Sequence, residues 1–451
     1  MRILFAAAEM SPMVRTGGLG EAVAGLAKAL ADAGHEVTVA LPGYADAGLL
    51  GSKQRGRPWR MADAGPLRIA TFQDALFDRP GVYGPSPGAS YEDNWRRFAV
   101  FASAVAELEE GYDLVHLHDA HVGPAALLVT APVVFTIHNA SYPLLGPLDE
   151  VASVLHLGDA ATALGGPLEW FGEANFLKAG IAGADQVTTV SPTHASELAR
   201  DETSFGIGGL VRSLPRPIVG ILNGIDTAAW DPASDGELSV PYTAATAVRR
   251  SRNRRTLGLE LGLGDGFLFG NVGRMSAQKG LGLLDYDIDE LVAEGLRFAF
   301  VGAGELDAVV DGWAARHPTA VAHRPYSEAL ARRIYGGVDG YVMPSEYEPC
   351  GLGQIYAMRY GAIPVAHAVG GLADTVVDVD EDAARGTGFV FRTFAHPSLT
   401  KTIRRAVRYH DVLPDVWEAT RRNGMTADWS WDARAADYVA CYESVLGDVR
   451  P

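Results

Sequence analysis

Arg2-Ile3-Leu4-Phe5-Ala6-Ala7-Ala8-Glu9, followed after a short loop by Thr16-Gly17-Gly18-Leu19-Gly20-Glu21, is the stretch whose reading decides the fold. An apolar run of strand length ends in an acid, turns through glycines and enters the helical pattern of Glu21–Ala33. Glycines at such a turn let backbone approach a ligand closely, and the helix start offers unpaired amides to a phosphate. A glycine turn that binds nothing has the same pattern. The spacing is not Gly-x-Gly-x-x-Gly, which argues against a nicotinamide dinucleotide.

Working outward, the same alternation recurs. Apolar strands are expected at Glu36–Leu41, Leu114–His118, Val133–His138, Gln186–Ser191 and Ile218–Asn223, with helices at Trp95–Glu109 and Glu173–Ala182. A second series follows at Phe267–Arg274, Arg297–Gly302, Gly340–Pro344, Ile363–Ala368 and Gly388–Phe391. Strands alternating with helices predict an α/β class with parallel sheets covered by helices. A chain of 451 residues exceeds the roughly 250–300 that one core supports. We therefore expect one Rossmann-like domain over 1–240, another over 241–428, and a terminal segment over 429–451. The polar stretch from Asp231 to Asp265 reads as a linker region, and the Gly- and Pro-rich stretch Gly43–Glu92, with Pro80–Gly88 inside it, as a long loop region. The tail after Trp429-Ser430-Trp431 predicts an amphipathic helix over Ala433–Leu446, with Tyr438 and Tyr442 four apart.

The net charge of −17 disfavours nucleic-acid and membrane-surface partners. An anionic ligand must be held by a local cluster of cations and amides. Two distant cysteines, Cys350 and Cys441, give neither a disulfide framework nor zinc-ligand spacing. The N-terminal apolar run is about six residues, short of the ~7–15 of a signal sequence, and Glu9 closes it. A cytoplasmic protein is expected, and assembly into a homo-oligomer stays open.

Four motifs carry chemistry. Arg274-Met275-Ser276-Ala277-Gln278-Lys279-Gly280 puts a planar and a point cation at the carboxyl end of a strand, where open α/β sheets bind ligands. Such a pair suits a diphosphate. Glu346-Tyr347-Glu348-Pro349-Cys350-Gly351-Leu352 sets carboxylates beside a Pro–Gly turn; they could hydrogen-bond sugar hydroxyls and stabilise positive charge at an anomeric carbon, or form an ordinary polar turn. His116-Leu117-His118-Asp119-Ala120-His121 and Ile137-His138-Asn139 tip neighbouring strands. Residues alternate faces along a strand, which disfavours a metal cluster and favours His138 as a sugar hydrogen-bond partner. Asp285-Tyr286-Asp287-Ile288-Asp289 and Asp378-Val379-Asp380 mimic an Asp-x-Asp motif, but we assign neither a metal.

Taken together, these strings resemble the bacterial glycogen/starch synthase family of retaining glycosyltransferases. The resemblance runs through Thr16–Leu19, His118-Asp119, Thr136–Asn139, Asn175–Gly180, Thr188–Pro192, Leu222–Asp226, Arg274–Gly280, Glu348–Leu352, Tyr356–Gly361, Gly370–Thr375 and Trp429–Trp431. It implies the GT-B fold: two Rossmann-like domains facing a cleft, with a C-terminal helix crossing back to the first. By the family's pattern Arg274 and Lys279 would grip the donor diphosphate, Glu348 would sit against the donor ring, and His138 would meet a hydroxyl of the transferred group. Arg15, Gly17, Gly18, Asn223, Cys350, Gly351, Leu352 and Gly353 fall on the donor side; Glu9, Glu21, Asp119, Ala120 and Tyr142 on the acceptor side. The donor would be a nucleotide diphosphate sugar or cyclitol of open base, with no metal and no other cofactor. A pyridoxal-phosphate phosphorylase, which shares the fold class, has a lysine site without a counterpart here.

The chain departs from the family at particular places. Arg15 stands for the usual lysine and Glu21 for aspartate; Ala120 replaces a tryptophan. Tyr142-Pro143-Leu144 replaces Tyr-Gln-Gly, Gly353 replaces threonine, and His367 and Val369 replace arginine and threonine. Groups facing the diphosphate are kept, while those near the base, the transferred ring and the acceptor change. The leading expectation is therefore a specialised transferase acting on a small sugar or amino-sugar acceptor, similar to acarbose-type pseudo-glycosyltransferases. The alternative is an ADP-glucose-dependent glycogen synthase extending α-1,4-glucan.

Overall fold

The computed structural model of the chain describes residues 1–45, 52–53, 58–86 and 88–448. Part of the expected Gly43–Glu92 loop, Pro87 of its Pro–Gly run and the end of the 429–451 segment lie outside the described residues. Two compact units form: Met1–Gly224 with Trp431–Pro451, and Ile225–Ser430.

The first unit is built on a nine-stranded sheet. Its order is Val219–Gly220, Gln186–Thr189, Val133–Ile137, Leu114–His118, Arg2–Ala6, Glu36–Pro42, Leu67–Phe72, Trp59–Ala64 and Ser52–Lys53. Neighbours are parallel as far as Leu67–Phe72, and the last two strands are antiparallel. Ile3, Leu4, Phe5 and Ala6 are all fully buried, because helices cover both faces of a parallel sheet. Ile3 and Phe5 pack with helix Gly18–Asp32 through Val23, Leu26 and Leu30; Leu4 and Ala6 pack with Phe98 and Phe101 of helix Asn94–Leu108. Helix Trp431–Asp448 joins the former layer. Gly25 makes room for it: a Cβ there would stand 1.9 Å from the Trp431 indole nitrogen. A small antiparallel sheet, Leu145–Pro147, Glu173–Asn175 and Glu169–Trp170, decorates this unit.

The second unit holds a six-stranded, all-parallel sheet in the order Val321–Arg324, Arg297–Val301, Leu268–Val272, Gly340–Met343, Ile363–His367 and Phe389–Phe391. In the second unit the chain lays strands outward first on one side and then on the other; the first unit does likewise, except that on its first side the chain passes to the edge strand Ser52–Lys53 and returns inward to place Leu67–Phe72 beside Glu36–Pro42. The reversal falls between Arg2–Ala6 and Leu114–His118 in the first, and between Leu268–Val272 and Gly340–Met343 in the second. Loops leaving the carboxyl ends at such a switch point diverge and open a crevice, the usual ligand site of open α/β sheets.

Several expectations need correcting. The stretch 231–265 is not a linker, and the first boundary lies at Gly224 rather than 240. Trp230, Leu238, Tyr242, Leu257 and Leu261 are buried in the second unit's core, and Arg250–Leu261 is a helix. Part of its polar look comes from Arg250, which is 4% exposed and donates to the carbonyls of Tyr360, Tyr335 and Val338. The second boundary falls after Ser430 rather than 428, since Ile225 and Ser430 are bridge partners and the Ile225 N–H donates to the Trp429 carbonyl. The Gly43–Glu92 region is not all loop: Trp59–Ala64 and Leu67–Phe72 form a hairpin turning at Gly65, with φ of 62°. The expected strand Ile218–Asn223 shrinks to Val219–Gly220. Strand Val321–Arg324 was missing from the sequence reading. Among the described residues no helix is long and apolar enough to cross a membrane.

Candidate functional site

In the second unit the two loops leaving the switch point are stitched together. The Glu346 N–H donates to the Gln278 carbonyl at 2.9 Å, and Gln278 Nε2 donates to the Tyr347 carbonyl at 2.9 Å. Lys279 Nζ then meets Glu348 Oε2 at 2.5 Å, and Ser345 Oγ donates to the same oxygen at 2.9 Å. The carboxylate is buried while the ammonium is partly open to solvent. Gly280 permits this approach: its φ is 69°, and a Cβ would come within 1.9 Å of the Pro344 carbonyl oxygen. Behind the turn, the Gly371 N–H donates to the carbonyls of Glu348 and Pro349, and His367 Nδ1 lies 2.8 Å from the Ser345 carbonyl. Arg274 is exposed and makes no hydrogen bond or ion pair among the described residues. The cluster thus holds one buried anion on a cation that is partly open to solvent.

Gly351, with φ of 73°, and Leu352 lead into helix Gly353–Arg359; Cys350 is buried, its carbonyl accepting from Gln354 Nε2. A Cβ on Gly353 would lie 2.8 Å from Tyr341 Oη. That hydroxyl donates to the Val272 carbonyl and accepts from the Val272 N–H, so Tyr341 occupies the space a larger residue at 353 would need.

The first unit's switch point is arranged differently. Glu9 is buried and both its oxygens are used: Oε2 accepts from the Thr16 and Gly17 amides at 2.5 and 3.1 Å, and Oε1 from Tyr83 Oη at 2.5 Å. Glu9 therefore braces the glycine turn ahead of helix Gly18–Asp32. Arg15 and Glu21, expected on opposite sides of the reaction, form one ion pair at 2.5 Å. Gly17 is the residue before the helix, and Gly18 its first.

Beyond strand Leu114–His118, Asp119 adopts φ of 68°, the left-handed region that a side chain seldom enters. Its Oδ1 accepts from the His138 and Asn139 amides, both at 3.3 Å. Burial pushes its carboxyl up to about 7, against the opposing pull of the Asn139, His138 and Ala120 amides. His138 Nε2 lies 3.1 Å from His118 Nδ1, and burial brings His138 down to about 3. His118 and His116 are likewise held well below the ordinary histidine value by burial. His116 bridges Tyr442 Oη at 2.7 Å and Thr136 Oγ1 at 2.6 Å, tying helix Trp431–Asp448 to the sheet. His121 stacks on Tyr83 and is lowered to about 4 by burial. These imidazoles are neutral; His116, His118 and His138 pair with one another or with hydroxyls, and His121 is held by ring contacts with Tyr83 and Phe98. Among the described residues no group of three or more His, Cys, Asp or Glu is placed to hold a metal ion. The Asp-x-Asp stretches are spent on structure, with Asp287 on Thr400 and His396 and Asp378 on Arg405.

Within each unit, then, the structure brings Lys279 to Glu348, Gly351–Gly353 to the same turn, Glu9 to Gly17, Arg15 to Glu21, and Asp119 to His138. Asn223 is buried in the first unit, Ala120 is fully buried, and Tyr142 is exposed. The sequence reading missed Ser345, Tyr83 and the positioning contacts of His118 and His367. Ser345 sits next to the quoted Glu346 motif and could have been included; Tyr83 is 74 positions from Glu9 and carried no signal.

The starch synthase catalytic domain family matches residues 2–213, and the glycosyl transferases group 1 family matches residues 266–408. A glycogen synthase of Alkalilimnicola ehrlichii is 39% identical over 99% of this chain and 99% of its own length. One of Paracidovorax citrulli is 37% identical over 98% of this chain and 94% of its own. The catalytic domain of starch synthase IV from Arabidopsis thaliana, solved with ADP and acarbose, superposes with a TM-score of 0.87 at 29% identity, covering 99% of each chain. Sucrose-phosphate synthase of Thermosynechococcus elongatus, at 18% identity and a TM-score of 0.63 over 99% of each chain, shares the fold.

Proposed function

The chain belongs to the glycogen/starch synthase family of GT-B glycosyltransferases, and on that premise we propose that it transfers glucose from ADP-glucose to the end of an α-1,4-glucan. The observation that carries this reading is the 2.5 Å Lys279–Glu348 pair at the second unit's switch point, in a chain whose full-length relatives are glycogen synthases. The leaving diphosphate develops negative charge; Arg274 and Lys279 supply the compensating cations. Preorganised charge of this kind is commonly the largest single contribution to catalysis. Glu348 stabilises the oxocarbenium-like anomeric centre, and attack occurs on the face from which the nucleotide leaves, so configuration is retained. Neutral His138 hydrogen-bonds a hydroxyl of the transferred ring. Incubation of the pure chain with ADP-glucose and glycogen, followed by measurement of released ADP and incorporated glucose, tests the reading. Incorporation dependent on Glu348 is expected; an enzyme that leaves ADP-glucose untouched overturns it.

A second reading is favoured by one observation. Ala120 is fully buried where the family carries a tryptophan, so this position offers an acceptor no aromatic surface. Transfer of an activated cyclitol to an amine on a small acceptor, as in pseudo-glycosyltransferases, fits that loss. Formation of a C–N linked product from an unsaturated nucleotide-cyclitol, with no glucose incorporated into glycogen, would establish it in place of the first.

A further inference from the structure

The Ser345–Glu346 peptide in the second unit is gripped at both ends. Its N–H, from Glu346, donates at 2.9 Å to the carbonyl of Gln278, the residue before Lys279. Its carbonyl, from Ser345, meets His367 Nδ1 at 2.8 Å. A carbonyl oxygen only accepts, so Nδ1 carries a hydrogen whether the ring is neutral or charged. Among the described residues no other group bonds to that oxygen. Ser345 is fully buried, and a buried carbonyl without a partner is a destabilising orphan. Planarity couples the two ends, because the C=O and N–H of a trans peptide point opposite ways and turn together. A tilt of this one plane would loosen the tie to the Lys279 loop. It would also move Ser345, whose Oγ donates at 2.9 Å to the Glu348 oxygen that Lys279 holds.

The ring that holds this plane is itself wedged. His367 ends strand Ile363–His367 and is buried. Its cross-strand partner Phe391 stacks on it, with ring centres 5.0 Å apart and planes 23° apart. Phe394 lies 5.4 Å away between ring centres, and a Cβ on Gly280 would come within 3.0 Å of that phenylalanine. The imidazole therefore backs both loops, one through a hydrogen bond and the other through Phe394. We propose that His367 is a positioning residue for the transfer centre: by fixing the Ser345–Glu346 peptide it keeps Glu348 and Lys279 in their paired arrangement. It acts through that peptide rather than on the donor. The family usually carries arginine here, so an imidazole in this role is not the family's common pattern. The consequence for turnover rests on the transferase reading above, whereas the bracing of the peptide does not.

Variants that separate the ring from its N–H test this. His367→Phe keeps a stacking ring and removes the donor. His367→Asn removes the ring and keeps a donor, since its Nδ2 stands as many bonds from the backbone as Nδ1. Amide hydrogen exchange at Glu346 in the full chain needs no substrate; the amides of strand Leu268–Val272 report any general loosening. Relative to those amides, Glu346 exchange should quicken about tenfold or more in His367→Phe and stay within about threefold of wild type in His367→Asn. With ADP-glucose and glycogen, kcat should fall by about 10–10² in His367→Phe, because slight misplacement at a reacting centre is costly, while His367→Asn retains most of it. His367→Gln carries the donor one bond too far, and stands in for His367→Phe with the same expectations if that variant does not fold. A role confined to stability would lower Tm in both variants and leave Glu346 exchange and kcat of the folded protein unchanged, which overturns the proposal. Unchanged kcat in His367→Phe overturns it too. A wild type that leaves ADP-glucose untouched ends the function reading alone: faster Glu346 exchange in His367→Phe but not in His367→Asn still supports the brace, and equal exchange in all three proteins still removes it.

Discussion

The two switch points answer the same topological problem with opposite electrostatics. In the second unit the crevice loops present charge: a buried carboxylate locked to an ammonium, with the exposed Arg274 five positions ahead of Lys279 in the chain. In the first unit the counterpart loops present groups whose charge burial has removed, with His118 and His138 neutral and Asp119 poised near 7. A transferase needs fixed charge where the leaving diphosphate develops and neutral hydrogen-bonding groups where sugar hydroxyls lie. The difference teaches that the partner, rather than residue type or burial, assigns those tasks: Glu348 and Asp119 are both buried, but Glu348 meets an ammonium while Asp119 meets backbone amides. Glu9 illustrates it further: an acid at a strand end, expected on the acceptor side, is used up by two amides and a tyrosine.

The sharpest way to break this contrast is Glu348→Ala. Removing the carboxylate leaves Lys279 and Ser345 without their shared partner, and kcat is expected to fall by about 10²–10³ or more, by analogy with loss of a preorganised charge-stabilising group. Circular dichroism should be unchanged. Turnover within a fewfold of wild type would move the reacting centre away from the second unit's switch point. Lys279→Ala comes next, with kcat reduced by about 10² and donor KM raised. An equal loss with every acceptor is expected, because the cation serves the leaving group; loss confined to one acceptor would contradict the assignment.

The first unit's neutrality is tested by Asp119→Asn. A carboxyl raised in the folded state from 3.8 to about 7 holds its proton when the unfolded chain has already released it. Its contribution therefore harms stability increasingly as pH climbs from about 4 to 7, and no further above that window. Over pH 5 to 8 the wild type should lose roughly 2–3 kcal/mol from this group alone. Asparagine matches aspartate in size and shape and cannot ionise, so denaturant unfolding of the variant should show that much less decline between pH 5 and 8. Identical pH dependence in the two proteins would mean that Asp119 is charged at neutrality and that the contrast between the units is misdrawn.

How much of this was legible in the sequence depended on distance along the chain. The alternation of strands and helices, both glycine turns and the strings containing Lys279 and Glu348 could be read locally, because period and turn chemistry are local properties. That Lys279 reaches Glu348 could not, since strand order brings loops 69 positions apart together. The stretch 231–265 was misread because burial was inferred from polarity: Arg250 looks like a linker residue until three backbone carbonyls are found to surround its guanidinium. The hairpin Trp59–Phe72 was hidden by the glycines and prolines around it.

The smallest effect expected comes from the second unit's one specificity-side departure that has a steric cause. Gly353→Thr restores the residue the family usually carries, but its Cβ would press within 2.8 Å of Tyr341 Oη, a hydroxyl already bonded to both backbone groups of Val272. Overpacking of this kind costs about 1–3 kcal/mol. Tyr341→Phe removes the obstructing oxygen at the expense of those two bonds, so alone it also destabilises. The double variant should be more stable than the sum of the single changes predicts, because the threonine takes the vacated space; residues in contact couple in this way. Strictly additive losses in chemical denaturation would show that Gly353 and Tyr341 vary independently. The glycine would then mark a change in what the loop binds, rather than an accommodation to the tyrosine behind it.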